Sequence, residues 1–248
     1  RYCFFAPKDV SAWGDYLKAF AKRYPKIRLW ELWNEPHLPG GSVFWRESSP
    51  EQFVELMKTG YEALKSVNPE NIVIQGGIGM RYIPFYDAET KLGVQRYYDL
   101  LGTHCVNSHV PFEEVNRKYN APKRGYLETE WHANLYNCNA PELPTEEDLC
   151  FRMLLQLAQM LNINVEHIAV FNPFTGDHVP ETARYFAKAG GIQQVSGLFR
   201  SVPYKEPRLT ALALRTATDR FAGKVVPLGV CYFGDGSQQA AFFKSDRG

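Results

Sequence analysis

The sequence contains no apolar stretch near the roughly 18 residues that a membrane-crossing helix needs. It has no long run of one charge either. Its 28 Lys and Arg balance 27 Asp and Glu, leaving a formal charge of +1, so nucleic acid is not expected as its main partner. The five cysteines (Cys3, Cys105, Cys138, Cys150 and Cys231) include no CxxC pair. That excludes a zinc site and a disulfide framework read from spacing; free thiols are expected, and the compartment stays open. No GxGxxG or GxxxxGK[ST] follows a strand-like segment, which removes the common phosphate cradles. The opening RYCFFAPKD has no Met, no basic stretch and no apolar stretch, so it is not a signal peptide; it reads as a cut inside a longer chain or a processed start. There is no internal repeat, low-complexity tract or Gly/Ser linker.

What remains is a globular composition, 45% apolar and 14% aromatic over 248 residues, long enough for one large core. Five Trp and fourteen Tyr suit an aromatic-lined carbohydrate cleft, and equally an ordinary core. Along the chain, Ser11 caps an expected helix with Trp13, Leu17, Phe20 and Tyr24 inward, ended by Pro25. IRLWELW reads as a strand. Ser49-Pro50-Glu51-Gln52 is a capping box with Pro at the first helical position, followed by Phe53, Leu56, Met57, Tyr61, Leu64 and Val67 at helical spacing. NIVIQGG reads as a buried strand ended by glycine, GVQRYYDLLG as a short helix stopped at Gly102, HCVNSHV as a strand, FEEVNRKY as a helical turn and RGYLETEW as a strand. A helix over about 145–161, the strand EHIAVF, a long loop region and a helix near 207–222 follow. The tail VVPLGVCYFGDGSQQAAFFKS predicts two strands around a Gly-Asp-Gly turn.

Strands and helices alternating in this way predict parallel βαβ units. Five strands fall before residue 172, too few for a (β/α)8 barrel. Two α/β architectures fit: an open doubly wound sheet, or a partial barrel without its first three units. Glu35 ends the first strand, where Pro36 breaks the ladder, and period two would place Glu31, Trp33 and Glu35 on one face. Glu130 ends GYLETEW, the third strand after it, with Glu128 two residues earlier on the same face. A lone strand-end glutamate is more often a solvated ion-pair partner. Two at the C-terminal edge of one parallel barrel are what glycoside cleavage requires: one protonates the leaving oxygen, the other attacks the anomeric carbon or activates water.

WNEP at one strand end and TEW three strands on resemble the glycoside hydrolases of clan A, and WELWNEP with the later IVIQGG strand most resembles the β-xylosidase and α-L-iduronidase type family within it. The resemblance covers roughly residues 11–222 and implies barrel strands four to eight. It implies Glu35 as acid/base, Glu130 as nucleophile and Asn34 as a contact to the sugar 2-hydroxyl. NSHVPF resembles the strand-six segment and makes His109 a subsite residue. His37 and His132, each two residues after a candidate glutamate, are loop candidates for substrate contact, and Trp131 for stacking on a sugar. The resemblance implies an oligo- or polysaccharide substrate and no metal or organic cofactor; His104 and His109, five apart on an expected strand, would face opposite ways. The chain is accordingly expected to be a fragment: a partial TIM barrel over 1–223 and the start of a C-terminal β-sandwich over 224–248.

Some residues depart from the clan pattern. Glu128 stands where an apolar residue is usual. It would lie deeper in the barrel and needs a partner or a proton there; it is a candidate substrate contact, or the nucleophile in place of Glu130, which is preferred because it follows Thr at the strand end. Glu31 raises the same question below Glu35 but is not a departure, since the family often has Glu there; it is expected to pair with an Arg or His. IAVFNPF lacks the tryptophan that commonly floors the sugar subsite. These departures keep a second function open, a non-catalytic carbohydrate-binding protein on a degenerate barrel, and a third, an open α/β enzyme of another chemistry.

Overall fold

The structure, a computed structural model, describes residues 5–36, 45, 49–79, 83–104, 109–131, 146–162, 165–170, 174–175, 198–200, 206–221, 223, 225–233 and 238–245. The chain divides into two compact units, one of residues 1–129 with 166–168 and one of residues 130–165 with 169–248.

The first unit is built on α1 (Val10–Arg23), β1 (Leu29–Leu32), α2 (Pro50–Val67), β2 (Ile72–Ile78), α3 (Ile83–Lys91), β3 (Leu100–His104), α4 (Val110–Lys118) and β4 (Gly125–Trp131) up to Thr129. With β5 (Val165–Val170) the strands form one parallel sheet in the order β1-β2-β3-β4-β5. A doubly wound sheet reverses its strand order at a switch point. This one runs in a single direction in chain order, as a barrel does, and the fold is a partial (β/α)8 barrel.

The two sheet faces can be assigned from register. Glu31 pairs with Ile74 and Ile74 with Leu100, and Ile74, Leu100 and Leu127 form one apolar cluster. That is the inner face. Leu32, Gln75 and Leu101 alternate onto the other face, where Gln75 meets Glu89 of α3. That is the helix side.

The capping box at Ser49 forms as expected: Gln52 N–H donates to the Ser49 hydroxyl and Ser49 N–H to the Gln52 side chain. At α1 the cap is Asp9 instead of Ser11, whose own N–H donates to Asp9 at 2.9 Å. The buried face of α1 is Gly14, Leu17 and Ala21, and Phe20 and Tyr24 lie 37% and 42% exposed. The reason is close packing against α2, which small residues permit. A Cβ on Gly60 would sit 2.6 Å from Leu32 Cδ1 and 3.1 Å from Leu17 Cδ1. Gly60→Ala is therefore expected to cost about 1–3 kcal/mol through overpacking, read as a lowered urea midpoint; an unchanged midpoint would show slack at this crossing.

Other expectations need correction. GVQRYYDLLG is not one helix: Gly93 adopts φ 82°, Val94–Tyr97 makes a single 3-10 turn, and Leu100–Gly102 already belong to β3. Cross-strand pairing of Leu100 and Leu101 with β2 overrides their helical spacing. HCVNSHV is not a strand throughout; β3 ends at His104 and Val110 opens α4 with Pro111 in its first turn. FEEVNRKY extends beyond a turn into that helix, and α3 had no clear sequence signal. NIVIQGG does not stop at its glycines, since β2 passes through both to Ile78.

The second unit contains α5 (Glu146–Asn162), β6 (Phe174–Thr175), β7 (Phe199–Arg200), α6 (Leu209–Arg220), β8 (Val225–Phe233) and β9 (Gln238–Ser245). Glu146, at the start of α5, accepts from Arg208 Nη1 at 2.8 Å and from Leu209 N–H at 3.3 Å, tying together the N-termini of α5 and α6. β6 and β7 pair in parallel. β8 and β9 form an antiparallel ribbon with a register shift between Pro227 and Gly229. The two terminal strands are thus present, as one two-stranded ribbon; the Gly-Asp-Gly turn lies outside the described residues.

Candidate active site

Glu35 is not presented by strand alternation. β1 stops at Leu32, and the chain turns through left-handed backbone at Trp33 (φ 77°) and Glu35 (φ 42°). The shared face expected for Glu31, Trp33 and Glu35 does not exist. Aromatic packing holds the turn: Trp33 stands edge-on to Trp13 and Trp45, at 6.1 and 5.1 Å, and Trp45 to Phe53 at 5.6 Å. The Trp45 indole N–H also donates to Ser49 O. Asn34 is half-buried within the turn and Pro36 buried at its end.

His104 is the residue that spacing did not single out. It ends β3, is 7% exposed, and its Nδ1 lies 3.0 Å from Glu35 Oε1. With Glu35 ionised, Nδ1 carries the proton and donates. The Glu35 side chain is 26% exposed, so the imidazole holds it while part of it remains in reach of solvent. The glycine pair of β2 makes the arrangement possible. A Cβ on Gly76 would lie 2.8 Å from Leu32 O, and one on Gly77 only 1.9 Å from His104 Nε2. The signal was available in QGG, since glycine inside a strand marks close approach by another group.

Beneath this pair, Glu31 Oε1 accepts from Gly77 N–H at 3.0 Å and from the Thr129 hydroxyl at 2.8 Å.

Glu128 does not lie deeper inside the barrel. Leu127 and Thr129 take the inner face, and Glu128 alternates to the helix side, where it is fully buried and accepts from the Thr103 hydroxyl at 2.9 Å. Tyr126, on the same side, stacks at 3.5 Å on His109. His109 precedes the first turn of α4 and is buried; burial and the nearby Lys123 lower its pKa to about 4. Its imidazole is neutral at ordinary pH. Farther along the helix side, Gln75 donates to Glu89, and the Tyr86 hydroxyl lies 3.2 Å from that of Tyr98 and donates to Asn116. Burial raises the pKa of Glu89 well above the ordinary value and that of Tyr98 likewise.

Glu130 is the penultimate residue of β4 and half-buried. Trp131 is buried, its indole N–H donating to Gln156 of α5 at 3.1 Å. His37 and His132 lie outside the described residues.

An imidazole-held carboxylate at the C-terminal edge of a parallel barrel sheet can hold and deliver a proton to a ligand above that edge. Comparison with known proteins bears on which ligand. No protein-family model matches the sequence. The β-xylosidase of Geobacillus stearothermophilus is 30% identical over 127 residues, 46% of this chain and 24% of that protein. A glucosidase from Croceicoccus marinus shares the fold with a TM-score of 0.65 at 15% identity, over 89% of this chain and 48% of that one. A GH39 β-xylosidase from Caulobacter crescentus does so with a TM-score of 0.61 at 18% identity, over 87% and 48%. The chain resembles the clan A glycoside hydrolases. It spans about a quarter of the length of the Geobacillus β-xylosidase and about half of each of these two structures. The clan resemblance first read from WNEP and TEW is thus matched by a curated β-xylosidase and by the fold of solved glycosidases.

Proposed function

We propose that the protein is a glycoside hydrolase that cleaves O-glycosidic bonds with retention of configuration, with Glu35 as acid/base and Glu130 as nucleophile. The observation that carries this reading is the Glu35–His104 pair, set by a left-handed turn at the C-terminal edge of a parallel barrel sheet. In the first step Glu35 gives its proton to the glycosidic oxygen, the bond from that oxygen to the anomeric carbon breaks, and a Glu130 oxygen bonds to that carbon. In the second step water gives a proton to Glu35 and its oxygen replaces Glu130, which leaves as a carboxylate. His104 holds Glu35 in one orientation through both steps. Asn34, in the same turn, is the proposed contact to the sugar 2-hydroxyl, and His37 follows it as a candidate loop contact. Glu128 and His109 are buried on the helix side and Trp131 against α5, and their proposed part is to hold the strands behind the site rather than touch the sugar.

A β-xyloside is the substrate class we favour, because relatives in both sequence and structure are named β-xylosidases. The test is to follow the hydrolysis of 4-nitrophenyl β-xyloside by proton NMR. Release of the β-anomer first is expected. The α-anomer first would keep the glycosidase and reject retention. Binding of xylo-oligosaccharide with no hydrolysis would instead select the carbohydrate-binding reading.

A further inference from the structure

We propose that Glu31 is a positioning residue that sets the Glu35–His104 pair one layer above it. This rests on the reading of Glu35 as the acid/base. Glu31 stands on the inner face of β1, and one of its oxygens, Oε1, accepts both the Gly77 N–H of β2 and the Thr129 hydroxyl of β4. Gly102 of β3 lies between them; a Cβ there would come within 2.9 Å of the same oxygen. A single carboxylate oxygen from β1 therefore ties to β2 and β4 and stands against β3.

Gly77 links this layer to the one above. Its N–H is held by Glu31, and its α-carbon faces the His104 ring so closely that an added Cβ would meet Nε2 at 1.9 Å. Where Gly77 sits decides where the imidazole can lie, and the imidazole in turn bonds Glu35 at 3.0 Å. The path Thr129–Glu31–Gly77–His104–Glu35 consists of three strong hydrogen bonds and one van der Waals wall. Glu31 needs no contact with substrate to act along it. A carboxylate suits the position because one oxygen can take two donors. Glutamine retains such an oxygen; leucine does not.

The test measures the imidazole resonances of isotope-labelled histidine across pH in the folded protein, with His104 assigned by His104→Gln, together with turnover of 4-nitrophenyl β-xyloside. Glu31→Leu is expected to move the His104 ring resonances and their titration while circular dichroism stays that of the parent. Gly77→Ala should displace the same resonances, and Glu31→Gln should largely preserve them. kcat for Glu31→Leu is expected to fall about ten- to a hundredfold with KM within about twofold, as for a misplaced catalytic group. Unmoved His104 resonances in Glu31→Leu would overturn the proposal, and so would moved resonances with unchanged kcat. If the parent protein hydrolyses nothing, moved resonances sustain the positioning role and only the glycosidase reading fails.

Discussion

Glu130→Gln is expected to lower turnover of an aryl β-glycoside by roughly a thousandfold or more, with little change in folding. The substitution keeps shape and volume and removes only the anionic oxygen that would bond the anomeric carbon. Glu130 is half-buried, not a core residue, so its replacement by an isostere should leave the unfolding midpoint near that of the parent. Glu35→Gln should differ in kind. It removes the proton donor of the first step, so its loss in kcat/KM should be large for a poor leaving group and small for an activated one such as 2,4-dinitrophenolate, whose departure needs no protonation, while kcat should fall for both because water in the second step loses its base. That contrast separates the two roles without a structure of the complex. Turnover retained by Glu130→Gln would end the nucleophile assignment. Equal losses of kcat/KM by Glu35→Gln on both leaving groups would end the acid assignment.

The second large effect is on stability. Glu89 is fully buried with a pKa raised well above 4.5 by its burial. The groups around it are Gln75 of β2, the Tyr86 hydroxyl, and Tyr98, with Arg124 near Tyr98. The folded protein therefore keeps a proton that the unfolded chain releases above about pH 4.5, and stability present below that value is lost as pH rises through the folded pKa. His109 gives the opposite limb. Its folded pKa of about 4 lies below the ordinary 6.5, so the stability present above 6.5 is lost as pH falls towards 4. Urea midpoints across pH should thus pass through a maximum on the mildly acidic side of neutrality. Glu89→Gln mimics the protonated acid. It should level the alkaline limb and raise stability there by about 1–3 kcal/mol, the cost of a buried group left charged and poorly partnered. Parallel profiles for the two proteins would show that Glu89 is not carried protonated.

The parts of the site legible in the sequence were those written in local signals. WNEP and TEW marked the ends of β1 and β4, the Ser49 box marked α2, and the alternation of elements marked the parallel sheet. What escaped was set by contacts between distant segments. His104 was hidden because Leu100 and Leu101 were read at helical spacing, whereas pairing with Ile74 and Gln75 makes them a strand. Glu128 was assigned to the wrong side because nothing in GYLETEW alone says which face the neighbouring strands turn inward; Ile74 and Leu100 decide it. Glu31 accepts a backbone N–H and a hydroxyl from two other strands, contacts that nothing in WELWNEP alone announces.

The ring contacts around Trp33 have an optical consequence. Trp13, Trp33 and Trp45 touch in series, and Tyr16 and Phe20 continue the row along α1. Indoles this close exchange excitation energy, so light absorbed by any of the three can be emitted from another. Trp33 lies two residues from Glu35, which places a native fluorophore beside the group that would meet a sugar. The protein thus carries its own optical reporter for this turn, with no label attached.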